Sequence, residues 1–292
     1  MAFHSLKTFF SERQNSKLAP TIKSDISLKL PSEDSSDTIH TSEDEIHTSS
    51  KDIGYAEGQS FIIEYIDSKK NLSTRRITVW GIKLGPSGTP ILIAKCHERN
   101  ATRSFRIDRI KAIADFDGEL ASSVSKFLTE NFEMHPELAA LAELHSATGG
   151  AKRASSSKNK SKPKPDVKMQ AIKATSRKKG LHLLWCFANA DDDFHHTELD
   201  TILNYCETMC ELEGIISTEE ELGLLGKYIK RLRPTGQTID KSVDTLLNLS
   251  STDIDSFLHA CIQVAKADGY IHPQEIVAIN TISNELVGRN IL

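Results

Sequence analysis

The sequence predicts an α+β, multi-domain chain: a small antiparallel β unit, a basic disordered linker, then an all-α helical bundle with an internal two-fold repeat. Three observations carry this. Residues 60–110 alternate apolar and polar side chains with the period of strands. Residues 181–202 (LHLLWCFANADDDFHHTELDTI) and 258–279 (LHACIQVAKADGYIHPQEIVAI) are two copies of one helix–turn–helix pattern. Two charged tracts, one acidic and one basic, are too poor in apolar residues to form a core. The 292 residues leave room for about two domains, and a hydrophobic content of 38% makes the ordered part shorter than the chain. A net charge of −4 sums an acidic front and a basic middle.

Residues 1–52 are expected to be disordered. From Ser32 to Asp52 the chain carries seven acids against one lysine, so burial cannot offset the entropy of ordering. The apolar part of MAFHSLKTFFSERQNS is short for a signal peptide, and no run reaches the roughly 20 apolar residues that span a bilayer. Cys96, Cys186, Cys206, Cys210 and Cys261 form an odd set without a CxxC pair. Cys206 and Cys210 sit one helical turn apart, as small core residues do. A reducing, cytoplasmic setting is the expectation.

Residues 53–117 form the β domain. SFIIEYID, STRRITVWGI, TPILIAKC and RSFRIDRI are short β-rich runs divided by turn formers. Four or five strands at this spacing imply a small, strongly curved antiparallel sheet or barrel. Residues 118–148 read as a short helical extension, broken near His135-Pro136. Residues 149–179 read as a flexible linker: from Lys152 to Lys179 there are eleven Lys/Arg against one Asp. Such a tract is a self-repelling tether or a nonspecific polyanion clamp, on which the acidic residues 32–52 fold back as an internal mimic of nucleic acid. Residues 180–292 are helical, with helices expected near 180–190, 196–212, 218–232, 239–248, 251–267 and 273–288. Ser217-x-x-Glu220 reads as a capping box and Ser250-x-x-Asp253 as a weaker one, while Gly214 and Gly236 fall in breaks.

YID…S.RRI…ILIAKCHERNATRSFRIDRI resembles the WYL domain, a small Sm-like β-barrel of bacterial regulators and defence-associated proteins. The eponymous Trp-Tyr-Leu is replaced by Pro90-Ile91-Leu92. The resemblance implies a nucleic-acid or anionic ligand bound through a basic face. The local candidates are Arg75, Arg76, Lys95, His97, Arg99, Arg103, Arg106 and Arg109, since guanidinium groups pair phosphate oxygens bidentately. Strand alternation puts Arg103 with Phe105 and Arg106 with Asp108, so these cations cannot all line one site. A solvated rim with Arg–Asp pairs is the bland alternative.

The two helical copies align at an offset of 77 positions (191 to 268), matching Leu181/Leu258, His182/His259, Ala188/Ala265, Ala190/Ala267, Asp191/Asp268, His195/His272, Glu198/Glu275 and Ile202/Ile279. ADDDFHHTE and ADGYIHPQE resemble the TerB domain, the helical module named from tellurite-resistance proteins. The Ala-Asp-Gly-x-Ile-x-x-x-Glu pattern is complete in the second copy. The resemblance implies a stress-response or phage-defence setting and divalent-metal binding by these acids. Two readings of the turns stand side by side. Capping explains His-x-x-Glu as N-cap and N3, with Pro273 at N1. A shared cation explains why histidine takes the N-cap slot twice and why an Asp ends a helix against its macrodipole. Asp191, Glu198, Asp268 and Glu275 would favour Mg, Ca or Mn, and His195 with His272 admits Zn, with Asp192 and Asp193 as auxiliary ligands. His182 and His259 point away from the turns and serve packing or hydrogen bonding between helices. No organic cofactor is expected.

No G-x-S-x-G, P-loop, Cys–His dyad or dinucleotide fingerprint occurs. The expectation is a non-enzymatic sensor or adaptor of a bacterial stress-response or phage-defence system. Its β part binds nucleic acid or an anionic ligand, its helical part a divalent metal or a partner protein, and it spans no membrane. A metal-dependent nuclease or phosphatase and a structural scaffold are the alternatives.

Overall fold

The computed structural model describes residues 53–86, 88–143, 166–190 and 194–292; the acidic tract and most of the basic one lie outside them. Five strands form one antiparallel sheet: β1 Gln59–Ile66, β2 Leu72–Leu84, β3 Pro90–Cys96, β4 Ala101–Arg106 and β5 Ile110–Ala114. Their order is β4-β3-β2-β1-β5. The sheet is open, which corrects the expected barrel: β4 pairs with β3 and β5 with β1, and no ladder joins β4 to β5. A 3-10 turn, Ile107–Arg109, carries the chain from one edge to the other.

One sheet face is apolar because alternate residues share it. Phe61, Ile63 and Tyr65, then Ile77 and Val79, then Leu92, Ala94 and Cys96, are all buried there. Two short helices, α1 Val124–Phe132 and α2 Pro136–Ala139, cover this face. They break at His135-Pro136 as expected, with Pro136 starting α2. Phe61 packs edge-on against Phe127 and Phe132 at 5.1 and 5.8 Å. The helices do the covering that a closed barrel would do with its own opposite wall.

The helical unit holds seven further helices among the described residues: α3 Val167–Lys178, α4 Leu181–Ala188, α5 His196–Leu212, α6 Glu219–Arg231, α7 Gly236–Leu247, α8 Ser251–Ala265 and α9 Pro273–Val287. Local signals set most ends. Ser250 Oγ accepts from Asp253 N at 3.1 Å, as expected. The α6 box is one residue later than expected: Thr218 is the N-cap and Glu221 the reciprocating acid. Gly236 opens α7 behind the N-cap Thr235 rather than lying in a break. Two of the repeated apolar pairs are core: Ala188 and Ala265, and Ile202 and Ile279, are 1% exposed or less. α4 packs on α8, α5 on α8, and α9 on α4. All five cysteines are buried thiols. No helix among the described residues is long and apolar enough to cross a membrane.

The linker expectation fails from Asp166 onward. Asp166 accepts from Lys168 N and Met169 N, both at 3.1 Å, and caps α3. Met169, Ile172, Lys173 and Ser176 recur at helical spacing and are buried. The cations that read as a tether are used internally: Lys168 pairs with Glu221 at 2.7 Å, and Lys179 pairs with Asp253 at 2.9 Å and Glu213 at 3.2 Å.

α3 also binds the two units together, through Glu57. This carboxylate is fully enclosed and meets Arg177 of α3 at 3.8 Å, His182 Nε2 of α4 at 2.9 Å and the Tyr228 hydroxyl of α6. Its backbone carbonyl accepts from Thr238 of α7 at 3.3 Å. His182 Nδ1 lies 3.0 Å from Ser242 Oγ, which anchors the ring between both units. Its repeat counterpart His259 is exposed, so the copies diverge where the β unit docks. The next residue, Gly58, has φ +89°, and a Cβ there would lie 1.8 Å from Arg233 O. The glycine lets the two backbones meet: Arg233 N donates to Gly58 O at 2.7 Å.

Burial alone would push the Glu57 carboxyl up; the His182 hydrogen bond, the Arg177 charge and the Tyr228 hydroxyl outweigh it and hold it at about 2, against 4.5 ordinarily. Its contribution to stability is therefore complete above about pH 4.5 and lost as pH falls through about 2. Glu57→Ala strips the charge from its buried partners and is expected to cost about 3–5 kcal/mol in urea denaturation. The gap between wild type and Glu57→Gln should narrow as pH falls below about 4.5; an equal gap at neutral and strongly acid pH would contradict this.

Candidate functional site

Two regions take the residues that the sequence singles out. In the paired turns, His195 and His272 are the N-caps of α5 and α9. Glu198 Oε2 accepts from His195 N at 2.7 Å, and Glu275 Oε2 accepts from His272 N at 2.7 Å. Both glutamates are buried, at 4% and 3% exposure. Each is thus held by its own helix start in a capping box. Asp268 accepts from Tyr270 N at 2.9 Å and lies 3.8 Å from His272 Nε2. Asp191, Asp192 and Asp193 lie outside the described residues. Among the described residues, no three of His, Cys, Asp or Glu come together so as to hold a metal ion. The capping account predicts that Glu275→Ala costs about 0.5–2 kcal/mol, equally with manganese and with a chelator. A loss seen only with the metal present would favour shared ligation.

The basic residues of the β unit divide between surfaces. Arg106 is committed: its Nε and Nη2 donate to the two oxygens of Asp108 at 3.0 and 2.8 Å. Arg75 and Arg103 lie on the core side of the sheet, as the pairing of Arg75 with Ile63 and of Arg103 with Ala94 requires. Arg75 Nη1 lies 3.9 Å from Cys96 Sγ. Arg99 is exposed in the β3–β4 turn, and Arg109 ends the 3-10 turn.

Arg76 and Lys95 remain, and they share the face opposite the core. β2 and β3 set Thr78 against Lys95, and His97 N donates to Arg76 O at 3.0 Å, so Arg76, Thr78, Lys95 and His97 make one cross-strand patch. His97 Nε2 lies 2.8 Å from Thr78 Oγ1, which lies 2.5 Å from Ser60 Oγ. Burial, then the charges of Arg76, Lys95 and Arg233, push His97 down to about 4, so its ring is neutral at neutral pH. Glu98 is the nearby acid, and both of its oxygens accept from Arg76 N at 2.9 and 3.0 Å. Among the described residues, no carboxylate pairs with the Arg76 guanidinium or the Lys95 ammonium. Trp80, also on β2, has its indole N–H buried without a partner.

Arg233 is the contribution that the sequence did not announce. It sits between Trp185 and Phe116, with its guanidinium carbon 5.1 and 5.9 Å from their rings. It thus brings a cation from the helical unit to the rim of the β patch. No curated protein and no solved structure matches the chain. Residues 54–114 match the WYL domain family, which covers the open sheet and the Glu57 loop.

Proposed function

We propose that the chain is a non-enzymatic sensor or adaptor whose β unit binds nucleic acid, or a phosphate-bearing ligand, on the outer face of its sheet. The observation that carries this reading is the pair Arg76 and Lys95, on one face without carboxylate partners among the described residues, beside a third cation, Arg233. WYL domains are typical of regulators of bacterial stress and defence that bind nucleic acid; the match over residues 54–114 supports the same setting here. Two adjacent cations on a strand pair suit a phosphodiester backbone, which carries charge at close intervals but needs no base readout. In this reading the helical unit fixes the β unit's orientation and offers its remaining surface to a partner protein.

The test is anisotropy of labelled single-stranded and duplex DNA across a salt series. Arg76→Gln and Lys95→Gln should each weaken binding uniformly across sequences and reduce the salt slope by about one. Because His97 gains charge only near about 4, affinity should stay flat from mildly alkaline pH to about pH 5.5. Binding unchanged by both substitutions would overturn the assignment.

A further inference from the structure

An open cleft of about 180 Å³ runs between the β unit and the helical unit, away from the outer sheet face. Its walls include Ile113, Phe127, Met169 and Leu224, and its charged floor is formed by Lys173 and Arg231. These two cations are 3% and 7% exposed. Lys173 Nζ donates to Glu130 O at 2.7 Å and to Asn131 Oδ1 at 3.4 Å; Arg231 Nη2 donates to the same Oδ1 at 2.8 Å. Arg231 Nε has no partner.

The acids that also line the cleft are occupied elsewhere. Asp166 caps α3, and Asp115 accepts from the backbone of Asp117 and Glu119 at 3.1 and 2.9 Å. Glu119 pairs with Lys227, and Glu130 with Lys126 at 3.6 Å. Among the described residues, no carboxylate pairs with Lys173 or Arg231. The carbonyl end of α1, which both cations face, carries roughly half a negative charge. Glu57, Glu130 and Asp115 act on the pair only through space, so two largely buried cations line the cleft with no ion-paired carboxylate, an arrangement that costs free energy. Burial, then Arg231 and Arg177, push the Lys173 ammonium down to about 8, against the opposite pull of Glu57 and Glu130.

We propose that this cleft binds a small organic anion, with its phosphate or carboxylate group on Lys173 and Arg231 and an apolar body against Phe127, Met169 and Leu224. The size suits a single ring, since an apolar cavity of roughly 150 Å³ takes up benzene. Arg231 already stacks on Phe127, its guanidinium carbon 5.3 Å from the ring, so an aromatic body would meet a ring as well as a charge. The residues that would hold the anion lie outside the 54–114 match, and the site stands or falls independently of the Arg76/Lys95 patch.

The experiment is calorimetric titration of the full chain with phenyl phosphate, benzoate and the neutral benzyl alcohol. At least one of the two anions should bind saturably, and the alcohol should not; which anion binds tighter separates a phosphate from a carboxylate site. Arg231→Met and Lys173→Met should each weaken that anion at least tenfold. Leu224 is 45% exposed, so Leu224→Trp should fold normally, fill the cleft while leaving Lys173 and Arg231 unaltered, and abolish binding. Failure of both anions to bind at millimolar concentration would overturn the proposal, as would binding that persists in Leu224→Trp.

Discussion

The buried carboxylate of Glu57 is the constraint on which the arrangement of this chain depends. A charge taken out of water is tolerable only when its partners are all in place. Here they come from α3, α4 and α6, and α7 adds the bond to the Glu57 carbonyl. None of these helices can leave without exposing the charge or stranding its partners. The docking of the β unit and the assembly of the helical unit are therefore one problem, solved by one residue with a glycine beside it.

That solution changes what the basic middle of the chain is for. A flexible tether would let two ligand-binding parts search independently and act through effective concentration. Instead α3 and its C-cap commit Lys168, Arg177 and Lys179 to ion pairs, and Arg177 bridges Glu57 and Glu133 across the junction. The outer sheet patch and the cleft are consequently held in fixed relation, one on each side of the sheet. Lys173 and Arg231 belong to the helical unit, yet their oxygen partners belong to α1 of the β unit. An anion on this pair would favour whichever packing of the two units brings the cations together, which is the differential contact that ligand-driven change requires.

Much of the fold was legible because it is written locally. Strand alternation in FIIEYI and ILIAKC, the helical copies, and the caps at His195 and His272 each lie within a few residues of one another. The linker was misread because composition outweighed pattern: eleven cations drew attention from Met169, Ile172 and Ser176 at helical spacing, behind an Asp cap. Barrel closure failed because helices α1 and α2 do the covering, which no strand pattern reports. Arg106 was legible as a candidate cation, and its Asp108 partner two residues on was legible too; only geometry shows that the pair is closed. Glu57 gave no signal at all. Its partners His182 and Tyr228 lie 125 and 171 residues away, and a lone Glu between glycines has no period to betray it. Arg233 and Lys173 were hidden for the same reason, since the neighbours that give them meaning are distant in sequence.

The chain has one tryptophan in each unit, Trp80 on β2 and Trp185 on α4. Trp80→Phe and Trp185→Phe therefore yield two proteins whose fluorescence reports one unit each. Urea unfolding of the pair, followed by emission, is the most direct measure of whether Glu57 makes the units a single cooperative body. The account predicts coincident transitions that separate when Glu57→Ala is added to both. Transitions already apart with Glu57 in place would contradict it.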